Sequence, residues 1–486
     1  MLVTCEQMSR AEERLFSGGV DPEPYMDEAG RKCAEAIRSF IPSPSRVEVF
    51  CGKGNNGGDA LVVARWLRES HYSVNLHFSH GEEGLSELAK KKLSEVPAET
   101  KPPFSFRKQG IIVVDGLLGI GAKGDLRGPI REAADEINRL RTEEFAQCFA
   151  IDIPTGLNAD TGEPGEGAVI ADYTLSITAA KIGFASDQAI NNIGRLVEIP
   201  LDIPVEEGRA DLNFLFPSNL RPRLKRRAFD SHKGDAGRIS IIAGSKGMAG
   251  AAALTATGAS RAGAGLVTVF VEEDIYPIAA AQAPLEVMVR PMASIDDVLE
   301  MNSDVIAIGP GLGKRAEEMV DLIRTCKIPM VVDADALNAL ASSGIDLSTL
   351  PETRLLTPHP GELARLTDKK GDRISLTRKL ADEWGVTLLH KGARTAVASP
   401  NKPVELNTTG TPGMASGGMG DVLTGICAAL IGQGYSLHDS ACLGSWLLGT
   451  AAEHSKWFDE AEESISAPRV ANCLPSALNA LKRGDC

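Results

Sequence analysis

The sequence predicts two α/β domains in series, each built on a largely parallel β-sheet flanked by helices. Three observations carry that expectation. The chain of 486 residues is longer than one hydrophobic core usually serves. Short runs rich in β-branched and aromatic residues alternate with amphipathic helical patterns almost throughout, which is the signature of βα units. Across residues 200–227 that rhythm breaks, with four prolines, mixed charge and no sustained period.

In the first half the pattern predicts strands at 47–50, 74–78, 111–115, 149–153, 173–178 and 196–199, with amphipathic helices such as 60–69 and 130–141 between them. The second half restarts with strands at 239–243, 266–271, 305–308, 330–333, 355–357 and 387–390. A hairpin is expected at 396–398 and 404–406. Two helices, 422–431 and 440–454, are too rich in Ala, Leu and Gly to lie on a surface. No internal repeat relates the halves. The expected boundaries are a first domain at 1–210, a linker at 211–227 and a second domain at 228–486.

The formal net charge of −14 argues against nucleic acid or an anionic membrane as a partner. An acidic protein can still hold a small anion by backbone N–H groups and helix N-termini. Nine cysteines are scattered without a C-x-x-C pair, which fits reduced thiols better than a zinc site. The N-terminus lacks the apolar core of a signal peptide, and no apolar run reaches membrane-spanning length. A cytoplasmic homo-oligomer is the expected form.

Between the first predicted strand and helix, residues 51–59 read CGKGNNGGD. Four glycines allow close backbone approach to a ligand, and a helix starting at Asp59 would present free N–H groups to an anion. The alternative is a tight turn with Asp59 as N-cap. Two later strands also end in polar loops, VDGLLGIGAKGD at 114–125 and IDIPTGLNAD at 151–160. In a doubly wound sheet such strand ends share one crevice. Asn56, Asp115 and Thr155 would offer only oxygen ligands there, suiting a hard cation rather than zinc, and would leave Asp152 free for acid–base work.

Together these segments, from YMDEAG at 25–30 to AAKIG at 179–183, resemble the NAD(P)H-hydrate epimerases over nearly the whole first domain. The resemblance implies a Rossmann-like doubly wound sheet. It places the hydrated dinucleotide on Asn55, Asn56, Gly57, Gly58 and Asp59, on Gly119, Ile120, Gly121, Ala122, Lys123, Gly124 and Asp125, and on Asp152. It places a potassium ion (K+) at Asn56, Asp115 and Thr155, with threonine where serine is often found. The damaged cofactor carries a hydroxyl on C6, beside the ring nitrogen. Inverting that centre needs C–O cleavage and re-addition, or ring opening, helped by an acid and a base. Asp152 is the first candidate and Lys181 the second, with a solvated surface lysine as the alternative for Lys181.

In the second half, GTPGMASGGMGD at 410–421 precedes an apolar helix. Its glycines suit a backbone anion cradle, and Asp421 could take a proton from a hydroxyl attacking phosphorus. The alternative is a plain N-cap. The segment TPHPGE at 357–362 resembles the N-x-x-E element of ribokinase-like enzymes, with His359 for Asn and Glu362 acting on a metal or its water. The run KGART at 391–395 offers cationic and backbone donors to a nucleotide, and GPGLG at 309–313 allows backbone to approach a substrate. For Asp333 and Asp335, helix caps and ligand contacts are equally open.

With HKGDAGR at 232–238 and GSKGMAGA at 244–251, this set resembles the ADP-dependent NAD(P)H-hydrate dehydratases over nearly all of 228–480. The resemblance implies a ribokinase-like α/β/α domain using ADP with Mg2+. It places substrate on Ala251, Gly311, Gly313, His359 and Asp421, and nucleotide on Lys391, Gly392, Ala393, Arg394, Thr395 and Gly420. The sequence departs from the expected pattern at Thr411, where Asn is usual, and at Leu448, where His is usual. Both resemblances in one chain imply repair of hydrated NADH and NADPH. The rivals are a vitamin-precursor kinase, which gives the first domain no role, and a nucleotide sensor, which needs neither Asp152 nor Asp421.

Overall fold

The computed structural model describes residues 2–43, 45–98, 110–121, 124–205, 208–456 and 461–485. They form two compact units that divide between Ala210 and Asp211.

The first unit opens with β1 (Leu2–Val3), α1 (Cys5–Ser17) and α2 (Glu23–Phe40). The sheet strands follow: β2 (Arg46–Cys51), β3 (Ser73–Phe78), β4 (Ile111–Gly116), β5 (Gln147–Ile151), β6 (Tyr173–Ile177) and, after the short β7 (Ala180–Lys181), β8 (Arg195–Ile199). They pair in the order β3-β2-β4-β5-β6-β8, all parallel. Successive residues of a strand face opposite sides. Val113, Cys148 and Ala150 therefore join a core under the helix Gly128–Glu143, while Val114, Phe149 and Ile151 join a core under α2 and α3 (Asn55–Glu69). The order reverses between β2 and β4, so the crevice of this sheet opens beside the loops that follow those two strands.

Helix α3 begins at Asn55 and not at Asp59 as expected. Its glycines serve close packing inside the helix: a Cβ on Gly57 would lie 2.0 Å from Gly52 O, and one on Gly58 would lie 2.6 Å from Met26 Cε. The free N–H groups at the helix start therefore fall on Gly54, Asn55, Asn56 and Gly57, and Gly58 N–H makes the first bond, to Gly54 O at 3.2 Å.

The second unit holds one ten-stranded sheet: β9 (Leu212–Leu215), β10 (Arg238–Ile242), β11 (Leu266–Val271), β12 (Met288–Pro291), β13 (Val305–Ile308), β14 (Met330–Val332), β15 (Arg354–Leu356), β16 (Thr387–His390), β17 (Ala396–Ala398) and β18 (Val404–Asn407). The order is β12-β11-β10-β13-β14-β15-β16-β17-β18-β9. Strands β10 to β16 are parallel, β17 and β18 form the expected antiparallel hairpin, and β9 closes the edge parallel to β18. The linker expected at 211–227 is thus structured. Leu212 and Leu215 are fully buried, and a four-residue strand that completes a hairpin edge is too short to show a period among prolines. The helices Met419–Gly432 and Leu437–Ser455 are buried in the main core, as their composition demands. Small residues let helix Ala249–Arg261 approach the first of them: a Cβ on Gly425 would lie 2.0 Å from Thr255 O.

Candidate active sites

In the first unit the three expected ion ligands meet. Thr155 donates its hydroxyl to Asp115 Oδ1 at 2.7 Å and its N–H to Oδ2 at 2.8 Å. Leu118 N–H reaches the same Thr155 hydroxyl at 3.1 Å, and Asn56 Nδ2 donates to Leu118 O at 2.9 Å. Gly119 lies directly against the Asn56 side chain. Asp115 is wholly buried, and burial pushes its carboxyl up to about 6 against the pull of the Thr155 and Leu117 hydrogen bonds. One buried negative charge among neutral oxygens is a weak field, which fits a monovalent cation better than a divalent one.

Asp152 follows β5 in a left-handed conformation, φ 61°, and is not free as expected. It forms an ion pair with Lys181 and accepts the Ile177 N–H at 3.1 Å. Lys181 is fully buried on β7, so the surface alternative for it is wrong. The sequence could not reveal this, because β7 is two residues long and is fixed by pairing with β1, where Val3 stands opposite Lys181. Thr178, missed by the sequence reading, also has positive φ, and its hydroxyl is buried without a hydrogen-bond partner among the described residues. Burial pushes the Asp59 carboxyl well above the usual range, and the charges of Asp152 and Glu12 add to the effect. Gly121, Gly124 and Asp125 are exposed, while Ala122 and Lys123 lie outside the described residues. Between that loop and residues 156–165 runs a cleft of about 380 Å³, lined in part by Leu118, Asp125, Arg127, Asn158 and Glu163.

In the second unit the strand-end loops also converge. Gly418, φ 90°, leads into the helix Met419–Gly432, so Asp421 lies in the first turn and is not the N-cap. Burial, then the charge of Asp333, pushes Asp421 up to about 7, while Lys391 pulls it back. Asp333 stands at the N-cap position of helix Ala334–Ser343, yet its side chain makes no cap. It binds Lys391 Nζ at 2.7 Å and accepts the Thr424 hydroxyl at 2.8 Å. Burial alone would lower Lys391, but the Asp333 and Glu362 carboxylates hold it above its ordinary value. A Cβ on Gly420 would lie 3.3 Å from Lys391 Nζ, so glycine leaves that ammonium its room.

The remaining residues divide. A Cβ on Gly311 would lie 2.9 Å from that of Ala251, so these two expected substrate contacts stand together. Asp335 accepts the Gly313 N–H at 2.8 Å and so holds the 309–313 loop. His359 caps helix Pro360–Leu366 through Nδ1, and Glu362 returns the bond to His359 N–H at 2.8 Å. Glu362 thus uses Oε2 in a capping box, with Lys391 3.7 Å from the same oxygen. In the 391–395 loop Gly392 and Ala393 are exposed, and the Thr395 hydroxyl ties back to Gly392 O at 3.0 Å. Arg394 departs from its expected role as a cationic donor: its guanidinium is buried 5.8 Å from the Phe214 ring. Strand β9, which supplies Phe214, is the element the sequence hid.

Among the described residues, one group of His, Cys and carboxylate is tight enough to ligate a metal, namely Glu405, His438 and Cys442. Both Glu405 oxygens are already held by the Arg223 fork at 2.6 and 2.7 Å, so this group reads as a buried clamp on β18.

These geometries agree with what the chain is similar to. A family model described as NAD(P)H-hydrate dehydratase matches residues 239–475, and one described as YjeF-related protein N-terminus matches residues 23–183. The bifunctional NAD(P)H-hydrate repair enzyme Nnr of Coxiella burnetii is 33% identical over 471 residues, covering 94% of this chain and 95% of that protein. The chain belongs to the bifunctional NAD(P)H-hydrate repair enzyme family. The Escherichia coli K12 member is 36% identical, over 87% of this chain and 84% of its own length. The second unit resembles the ADP/ATP-dependent NAD(P)H-hydrate dehydratase of Bacillus subtilis, crystallised with ATP and Mg2+. That likeness has a TM-score of 0.50 and 29% identity, over 56% of this chain and all of that one. The first unit is thus the epimerase domain and the second the ribokinase-like dehydratase domain of a bifunctional enzyme.

Proposed function

We propose that this enzyme interconverts the R and S epimers of NADH-hydrate and NADPH-hydrate around Asp152 and Lys181, and dehydrates the S form around Asp421 with ADP as phosphoryl donor. The observation that carries the second half is Asp421 itself. It lies in a glycine-led first turn, beside the Lys391–Asp333 pair, with a carboxyl poised near neutral pH. Hydroxide is a poor leaving group and phosphate a good one. As the C6 hydroxyl attacks the terminal phosphorus of ADP, Asp421 takes its proton and AMP departs. The ring nitrogen lone pair then expels phosphate, and loss of a C5 proton from the iminium restores the dihydronicotinamide.

Substrate contacts at Ala251, Gly311, Gly313 and His359 suit this reading, as do nucleotide contacts at Lys391, Gly392, Ala393, Thr395 and Gly420 through ammonium and backbone donors. Mg2+ would enter with the nucleotide and neutralise phosphate charge, as ions without a protein carboxylate cage do. In the first unit, potassium at Asn56, Asp115 and Thr155 would hold the loop at 118–125 against the substrate. The described cysteines are all free, which suits a reducing cytoplasm.

The test is to incubate the protein with mixed epimers and ADP or ATP, and to follow dihydronicotinamide absorbance. Full recovery with ADP is expected. Recovery that stops at the S fraction removes the epimerase half, and a stable phosphorylated product with no recovery removes the dehydratase half.

A further inference from the structure

Helix α1 is held by the two segments that carry the epimerase ion pair. Thr4 caps it in a capping box, and the preceding Val3 pairs with Lys181 in the β1–β7 ladder. The Cys5 N–H donates to Asp160 Oδ1 at 2.7 Å, at the end of the loop that Asp152 begins. One face of the helix then packs inward: Met8 and Ala11 are buried, and Leu15, Ile120 and Ala179 close around them. Glu12 is one residue on from Ala11 and one turn from Met8 and Leu15, at the margin of that face.

Glu12 is half-buried, and its carboxyl makes no hydrogen bond or ion pair among the described residues. A carboxyl taken from water with no partner is costly unless a ligand completes it. The charges of Asp152 and Lys181 act on it, and Asp59 feels both Glu12 and Asp152. Burial first, then the Asp152 charge, pushes Glu12 up to about 7, while Lys181 pulls it back. Two carboxyls therefore lie within range of each other's charge, in different surroundings. Asp152 is paired with an ammonium, and Glu12 is not. Such a difference separates acid from base.

We propose that Glu12 is the proton donor of the epimerase reaction, acting on the substrate opposite Asp152. This rests on the reading of Asp152 as an acid–base residue. In the forward step the Asp152 carboxylate takes the proton of the C6 hydroxyl, and the C6–O bond becomes a carbonyl. The C6–N1 bond breaks, its electron pair goes to N1, and Glu12 gives N1 its proton. The ring is now an open aldehyde with an N–H. After rotation about C5–C6, N1 attacks the opposite face of the carbonyl. The N1 proton returns to Glu12, the oxygen recovers its proton from Asp152, and the ring closes with C6 inverted. Nothing is gained or lost, and both residues are reset.

The test is conversion of the R to the S epimer without ADP, read by chromatographic separation of the epimers. Glu12→Gln keeps the shape and removes the proton. It should lower kcat by about 100-fold or more, the scale of a lost general acid, with KM little changed. Glu12→Asp should recover part of that loss. Because Glu12 must be protonated to act, the wild-type rate should fall as pH rises through about 7. That fall should vanish from the residual rate of Glu12→Gln. ADP-dependent turnover of the S epimer by the same preparation reports that the chain is intact. Wild-type kcat in Glu12→Gln, or an unchanged alkaline fall, would overturn the proposal. Asp152→Asn separates the two ideas. If it is inactive while Glu12→Gln is active, Glu12 alone is misassigned. If Asp152→Asn is fully active, the reading of the site itself fails.

Discussion

Lys391 and Asp333 form a buried ion pair, Nζ to Oδ1 at 2.7 Å, beside the helix turn that carries Asp421. The pair sets the local charge around the proposed base. Asp333 pushes the Asp421 carboxyl up and Lys391 draws it down. Lys391→Gln removes only the second influence, so the dehydration rate, which needs ionised Asp421, should rise with pH later than in the wild type. It also leaves Asp333, 1% exposed, without its cation, at a cost of about 3–5 kcal/mol in stability. A pH–rate profile and a urea titration of the variant check both effects.

Asp421→Asn should reduce ADP-dependent dehydration by at least about 100-fold and leave nucleotide affinity largely intact, because the backbone cradle remains. The sign of the stability change follows from linkage. The folded carboxyl titrates near 7, above its unfolded value, so the native state binds the extra proton between those values. Wild-type stability should therefore decline as pH rises through about 7, and the variant should lack that part of the decline. Thermal unfolding at several pH values measures it.

Asp152→Asn should abolish enzyme-dependent conversion of R to S and leave dehydration of the S epimer unchanged, since the two sites lie in separate units. It should also lower the melting temperature of the first unit, because Lys181 would stay buried without its partner. Equal loss of both activities in a folded variant would count against independent sites.

Potassium should support epimerisation and magnesium should not replace it, when the two are exchanged at constant ionic strength. The reason is the donor set, one carboxylate with an amide and a hydroxyl. Asp115→Ala should raise KM for the hydrate more than it lowers kcat, because the loop at 118–121 loses its anchor while Asp152 stays in place. Epimerisation that needs magnesium and ignores potassium would overturn the ion assignment.

The alternation of strand and helix patterns was enough to read both parallel sheets, because each buried strand is a continuous apolar run closed by glycine and polar residues. The same pattern singled out Asn56, Asp115, Thr155 and Asp421, which the structure places in the first turn of α3, at the end of β4, just after β5 and in the first turn of the helix Met419–Gly432. Gly57 was read as a ligand loop when it also lets α3 start early against Gly52. What only the tertiary structure decided are the partners. Lys181 is buried because a two-residue strand is fixed by pairing with the N-terminus. Asp333 turns from its helix to Lys391, 58 residues away. Arg394 is drawn inward by Phe214 on a strand concealed among prolines, and Glu12 feels the charge of Asp152 across some 140 residues of chain. Local patterns record which face of an element is apolar. Whether a charged group is a catalyst, a cap or a counter-ion depends on which distant group neutralises it, and that is settled only when the chain closes.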